Sequence, residues 1–448
     1  MKDLDEQLWK VGVLSKTKHN EAAPCQHEMA PIYSEAANAC DSNQLVMEIM
    51  KKCAARHDLV CLLHEKPFAG INGSGKHNNW SLSTDTGRNL FSPGKTPRQN
   101  AQFLVFLAAF IQGVDEYQDF LRCTVATAGN DHRLGADEAP PAIVSIFLGD
   151  ELTALVESIV SGSDYTDTHN RTMRIGVDVM PPIPKDTTDR NRTSPLAFTG
   201  NKFEFRMPGS SQSVAGPNIA LNTIMAEELR KFADVLEQAE DFDAALHELV
   251  RTALTQHKRI IFSGNGYSAA WAEEAKQRGL SNLSNAACAL PAYISRKNID
   301  LVTRHGIFTE AEFRARYAIH LESYKKLVAI EAKTTLDMAL RQILPAALRY
   351  TNVLTDALIA KRELGVSGKA ERGLIARLSA ASDALYEGCE KLKADLGSIP
   401  ECPEDAALYY HDVILSDMAA IRSEADTLET LTEKSFWPFP TYSDLLFY

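Results

Sequence analysis

The chain has 448 residues, 45% hydrophobic and 24% charged, with a formal net charge of -12. That length allows two or three domains and a large core, and the acidic balance argues against a nucleic-acid role resting on a basic surface. No apolar run approaches the ~18 residues of a membrane span, the start Met1-Lys2-Asp3-Leu4-Asp5-Glu6 does not read as a signal peptide, and the eight cysteines lack C-x-x-C spacing, which fits reduced thiols in a cytoplasm.

Residues 4 to 14 carry Leu4, Leu8 and Val11 at helical spacing. The block Lys16 to Ala30 follows, with Glu21 and Glu28 on either side of Pro24. One helix cannot carry both glutamates across that proline, so they fit neighbouring extended segments. Alone they read as solvated side chains; together with a nearby imidazole their hard oxygens suit magnesium or manganese. Residues 35 to 57 read as a helix, and Leu59-Val60-Cys61-Leu62-Leu63 as a buried strand ending near Pro67.

The stretch Lys66-Pro67-Phe68-Ala69-Gly70-Ile71-Asn72-Gly73-Ser74-Gly75-Lys76-His77-Asn78-Asn79-Trp80-Ser81 is the most informative in the chain. Asn72 to Gly75 open backbone conformations closed to bulky residues, and their bare amides can approach an anionic ligand. His77 offers a metal-binding ring nitrogen. Gly70, Gly75 and Lys76 match the first seven positions of a P-loop. The eighth should be Ser or Thr and is His77, and no helical stripe follows, so that reading fails.

Residues 97 to 126 predict one helix, its aromatics read as core. Asn130 to Pro141, with Arg133, Gly135 and Glu138, reads as a loop, and Ala142 to Leu148 as a buried strand. Arg174 to Met180 reads as a further strand. In Lys202-Phe203-Glu204-Phe205-Arg206 the three charged side chains share one face of a strand and the aromatics the other. Residues 217 to 238 and 242 to 254 read as helices, and Arg259 to Ser268 as a structural turn punctuated by glycine. Helical periodicity dominates from 309 to 364, Gly365 to Gly368 break it, and helices follow over 369 to 396 and 403 to 434, ending in the aromatic Phe436-Trp437-Pro438-Phe439.

Lys66 to Ser81 resembles the ATP-site signature of glutamine synthetases, K-P, a short spacer, N-G-S-G-x-H, then x-x-x-S, in the variant of the type III branch. His19 to Glu28 resembles that family's H-N-E-x-A-P-x-Q-x-E block, Arg133 to Pro140 its R-L-x-x-x-E-A-P segment, and Lys202 to Arg206 its basic-x-E-x-R strand. The resemblance covers nearly the whole chain. It implies an α+β fold: a glutamine synthetase/guanido kinase-like catalytic domain over residues 1 to 300, an antiparallel sheet with helices, then a helical carboxyl-terminal region over 301 to 448.

The implied activity is ligation of ammonia to glutamate with ATP, through γ-glutamyl phosphate, in a cytoplasmic homo-oligomer of ring type, with no nucleic-acid or membrane partner. Glu21, Glu28, His77 and Glu204 are the implied ligands of Mg2+ or Mn2+. Asn72, Gly73, His77, Arg133 and Arg206 are the implied glutamate contacts. Ser81, Lys202 and Arg192 fall on the ATP side, and Glu138, Arg192 and Arg206 are the implied catalytic residues. Family members carry an E-x-E strand and an amino-terminal β-domain before the first glutamate block, which the ~20 residues ahead of Glu21 cannot hold. The expectation is a carboxyl-terminal part of a longer enzyme, with weak metal binding and poor turnover alone. Two rivals are a ligase of the same fold joining glutamate to another amine, and a non-catalytic paralogue binding ATP or glutamate.

Overall fold

The structure, a computed structural model, describes residues 1–163, 193–441 and 444, together with the backbone of the two-residue strands at 172–173 and 183–184. It divides into two compact units, Met1–Arg314 and Ala315–Tyr448.

The first unit opens with helix α1 (Lys2–Trp9), strands β1 (Ser15–Asn20) and β2 (His27–Pro31), and helix α2 (Ala36–Arg56). Leu4 and Leu8 of α1 pack with Val13, Val46 and Cys53 in a small core. The strands pair antiparallel, with His19 opposite Glu28 and Asn20 opposite His27. Pro24 lies in the connecting turn, closed by Gln26 N donating to Ala23 O at 3.1 Å and Glu21 N donating to Gln26 O at 2.9 Å. The proline thus separates the two glutamates onto adjacent extended segments, as its missing N–H requires.

Leu59 to Leu63 departs from expectation. No strand forms there, and Val60 and Leu62 are 84% and 85% exposed. A strand needs a neighbour for its N–H and C=O groups, and among the described residues none pairs with this run. The long helix expected over 97 to 126 is also divided. Helix α3 (Ala101–Glu116), capped by the Asn100 side chain, gives way at Tyr117 to α4 (Gln118–Cys123). Residues 130 to 133, expected in a loop, lie in the short helix α5 (Ala128–Arg133), capped by Thr127.

The sheet beside the site is built from β3 (Asn78–Trp80), β4 (Ile146–Phe147), β7 (Leu196–Phe198) and β8 (Phe203–Phe205), in the order β3-β8-β7-β4. Helix α6 (Gly149–Ser161) and the antiparallel pair β5 (Thr172–Met173) and β6 (Ile183–Pro184) fall between β4 and β7 in the chain. The β3/β8 and β7/β8 pairs are antiparallel, and β4/β7 is a parallel pair not foreseen in the antiparallel expectation. The expected strand over 174–180 lies outside the described residues.

All three residues of β8 are buried. The Phe203 ring stacks on Phe110 at 3.7 Å and meets Phe91 and Phe198 edge-on at 5.3 and 5.2 Å. That aromatic cluster locks α3 under the strand that carries Glu204. Phe203→Ala removes it and is expected to cost about 3–5 kcal/mol, read as a lowered midpoint in a denaturant titration of the first unit's aromatic fluorescence.

Helices α7 (Ala215–Leu236) and α8 (Phe242–His257) pack on α3, and α9 (Ala269–Gln277), α10 (Ala286–Ala289) and α11 (Arg296–Arg304) follow. Helix α12 (Glu310–Met338) runs from the first unit into the second. The second unit continues with α13 (Leu344–Glu363), α14 (Lys369–Leu396), α15 (Pro403–Tyr409) and α16 (Leu415–Leu431). Helix α14 packs against both α13 and α16. A π-turn at Ala339–Ile343 lets the chain stay helical into Pro345, whose ring would otherwise meet the carbonyl of Arg341. Among the described residues, no helix is long and apolar enough to cross a membrane.

Candidate active site

The β1–β2 hairpin and the β3/β8 pair hold the four expected metal-binding residues in two groups. Register pairing sets His19 across from Glu28, and His19 Nε2 lies 2.6 Å from Glu21 Oε1 and 3.2 Å from Glu28 Oε2. One ligand atom from each of these three lies within 4.8 Å of the others. In the sheet, Asn79 pairs with Glu204, and His77 Nδ1 sits 2.8 Å from Glu204 Oε1. The field of His77 reaches Glu28, which links the two groups.

Burial, followed by the neighbouring Glu21 carboxylate, pushes the pKa of Glu28 up. Three carboxylates and two imidazoles of this kind suit Mg2+ or Mn2+, and a cation would relieve the repulsion between Glu21 and Glu28. The metal-free protein therefore has a defined pH response. With Glu28 raised in the folded state, the folded chain holds more protons than the unfolded one above the ordinary value of 4.5. Its contribution is present below that value and is lost as pH rises through the raised pKa. In chelator, Glu28→Gln is expected to remove that part of the decline in melting temperature with rising pH.

The glycine turn is clamped from both sides. Gln26 Nε2 of the hairpin donates to Asn72 O at 2.8 Å. Ser74 N donates to Glu65 O at 2.7 Å, Lys76 N donates to Pro208 O at 2.9 Å, and Gly75 bridges Gly209. A Cβ on Gly73 would strike the Glu65 carbonyl, and one on Gly75 would overlap the Arg133 guanidinium. The small residues thus serve close approach.

Arg133 ends α5 and is 5% exposed. Its Nη1 donates to Met207 O at 2.9 Å and its Nη2 to Arg206 O at 3.1 Å, so it shapes the turn after β8. Its Nε has no hydrogen-bond partner among the described residues, which leaves a buried donor for a ligand. Burial, then the charge of Arg206, pulls its pKa down to about 10. Two buried guanidinium groups side by side favour an anion between them.

Ser81 Oγ donates to Asn201 O at 2.8 Å and accepts from Asn89 Nδ2, also at 2.8 Å, placing it beside the turn that leads to half-buried Lys202. Glu138 follows Asp137 in a left-handed turn. Arg192 lies outside the described residues.

Two site neighbours escaped the sequence reading. His19 was detectable, because strand alternation puts it on the same side as Glu21. Tyr267 was not: it sits in the 259–268 turn, read as purely structural. Gly266 N donates to Thr193 Oγ1 at 2.8 Å and seats that turn against the segment after Arg192. The Tyr267 hydroxyl, its pKa pushed up by burial, lies in the fields of Arg206, Glu138 and Asp137.

The first unit is α+β and sets carboxylates, imidazoles and guanidinium groups near a glycine turn, a donor set whose chemistry suits anions and divalent cations. The family model for the glutamine synthetase catalytic domain matches residues 1–145, and that for the glutamine synthetase C-terminal domain matches residues 245–362. The chain belongs to the glutamine synthetase family. Over its whole length it is 44% identical to a glutamine synthetase of Butyrivibrio fibrisolvens, 42% to a type-3 glutamine synthetase of Dictyostelium discoideum and 40% to a glutamine synthetase of Bacteroides fragilis. It spans 64%, 62% and 63% of those relatives.

Proposed function

We propose that this chain carries out the ATP-dependent joining of ammonia to glutamate, giving glutamine, through γ-glutamyl phosphate. The observation that carries the reading is that Glu21 lies against Glu28 and His77 against Glu204, with the field of His77 reaching Glu28. The family match supports it.

A carboxylate resists attack by ammonia, so it is first phosphorylated, and phosphoryl transfer depends on positioning and charge neutralisation. Mg2+ or Mn2+, when bound, neutralises charge on the phosphates; Glu21, Glu28, His77 and Glu204 would hold it. Asn72 and Gly73 offer backbone groups to the amino-acid end of glutamate, and Arg133 offers its buried Nε to a carboxylate. Arg206 and Arg192 would neutralise the negative charge that develops on the transferred group. Glu138 borders the place where ammonium loses its proton and ammonia attacks, while Ser81 and Lys202 line the ATP side. Residues 1 to 300 form the catalytic part of this reading, and 301 to 448 a helical region suited to assembly in a homo-oligomeric ring. Eight cysteines without C-x-x-C spacing support a cytoplasmic setting.

The test supplies ATP, glutamate, ammonium and Mg2+ and counts products. Glutamine and phosphate in equal amounts support the reading. Phosphate without glutamine, or preference for an alkylamine over ammonium, overturns it.

A further inference from the structure

The glycine turn and the Asp137–Glu138 turn are joined by a partly buried ion pair. Lys66 has an 8% exposed side chain, and its Nζ lies 2.7 Å from Asp137 Oδ2 while also donating to Ile71 O. A nearly buried ammonium needs both partners. The turn it reaches is an unusual one. Asp137 and Glu138, successive non-glycine residues, have φ of +51° and +69°, after Gly135 at +101°. Left-handed backbone is costly for residues with a Cβ and persists only where surroundings hold it. Gly135 N donating to Pro140 O at 3.0 Å and Ala139 N donating to Ala136 O at 3.1 Å close the turn on itself. Lys66–Asp137 is a contact that ties it to the glycine turn, and Tyr267 lies within the fields of Asp137, Glu138 and Arg206.

We propose that Lys66 is a positioning residue, acting through Asp137 to hold Glu138 in its left-handed conformation at the site. The pair couples the two turns, so ordering of the glycine turn by substrate also orders Glu138. The kinetic consequence rests on the ligase reading above; the structural one does not. Asp137→Asn is the cleaner probe, because Lys66 keeps its bond to Ile71 O.

The test compares wild type, Asp137→Asn, Lys66→Met and the double variant by hydrogen exchange at the 135–139 amides. Each single change is expected to speed exchange about tenfold, and the double change no further; Lys66→Arg should retain wild-type protection. Unchanged exchange in Asp137→Asn, or effects that add in the double variant, overturns the proposal. In the glutamine assay, Asp137→Asn should raise the ammonium KM and the phosphate released per glutamine formed, with KM for glutamate and ATP unmoved. A uniform fall in kcat with no such split assigns the pair a structural role and overturns positioning. Faster exchange in a chain that makes no glutamine supports the tether and removes the ligase reading.

Discussion

Glu204→Gln is expected to lower Mn2+ affinity at least about 10–100-fold, the loss typical for residues that merely support metal ligands, and to slow phosphoryl transfer about 1000-fold, near 4 kcal/mol of barrier. The argument is electrostatic. Glu204 is 2% exposed in the middle of a buried strand and meets His77 Nδ1 at 2.8 Å. Glutamine keeps the shape and one acceptor oxygen, so the Phe203 and Phe205 packing survives, while the charge that attracts a cation is lost. The melting temperature without metal should stay near wild type, and the stabilisation that Mn2+ confers should shrink. Calorimetric titration with Mn2+ alone measures the affinity. An unchanged affinity would remove Glu204 from the ligand set.

Gly75→Ala is the second large effect, and it acts through sterics. The added Cβ would lie 2.6 Å from Arg133 Cζ and 3.2 Å from its Nε. Arg133 cannot withdraw easily, because it is held at the carbonyls of Met207 and Arg206. Either the glycine turn lifts away from Gly209 or the guanidinium is displaced. Overpacking of this kind costs about 1–3 kcal/mol. With Arg133 in its proposed role as a glutamate contact, a displacement of about 1 Å costs about 100-fold in kcat/KM, with glutamate KM expected to carry most of it. Gly373→Ala in helix α14, where a Cβ meets nothing within 4 Å, is the control and should be neutral or slightly stabilising.

Local chemistry was legible in the sequence where a short stretch determines it. Pro24 between Glu21 and Glu28 dictated a turn, and the structure has one. The alternation in Lys202 to Arg206 announced a strand, although its complete burial depends on β3 and β7 on either side and on Phe110 beneath. Leu59 to Leu63 has strand composition yet stays irregular, because a strand's hydrogen bonds come from a neighbour that local composition does not supply. Arg133 was read in a loop and ends a helix instead, since Thr127 caps three residues upstream of the polar run. Tyr267 and the Lys66–Asp137 pair were invisible to motif reading: each depends on segments far apart in the chain that only folding brings together.

The most direct measurement is anomalous diffraction from crystals of this chain soaked in Mn2+. The account predicts density peaks among the carboxylates and imidazoles of Glu21, Glu28, His77 and Glu204. Peaks confined to other surfaces, or Mn2+ bound with none of these side chains around it, would contradict it.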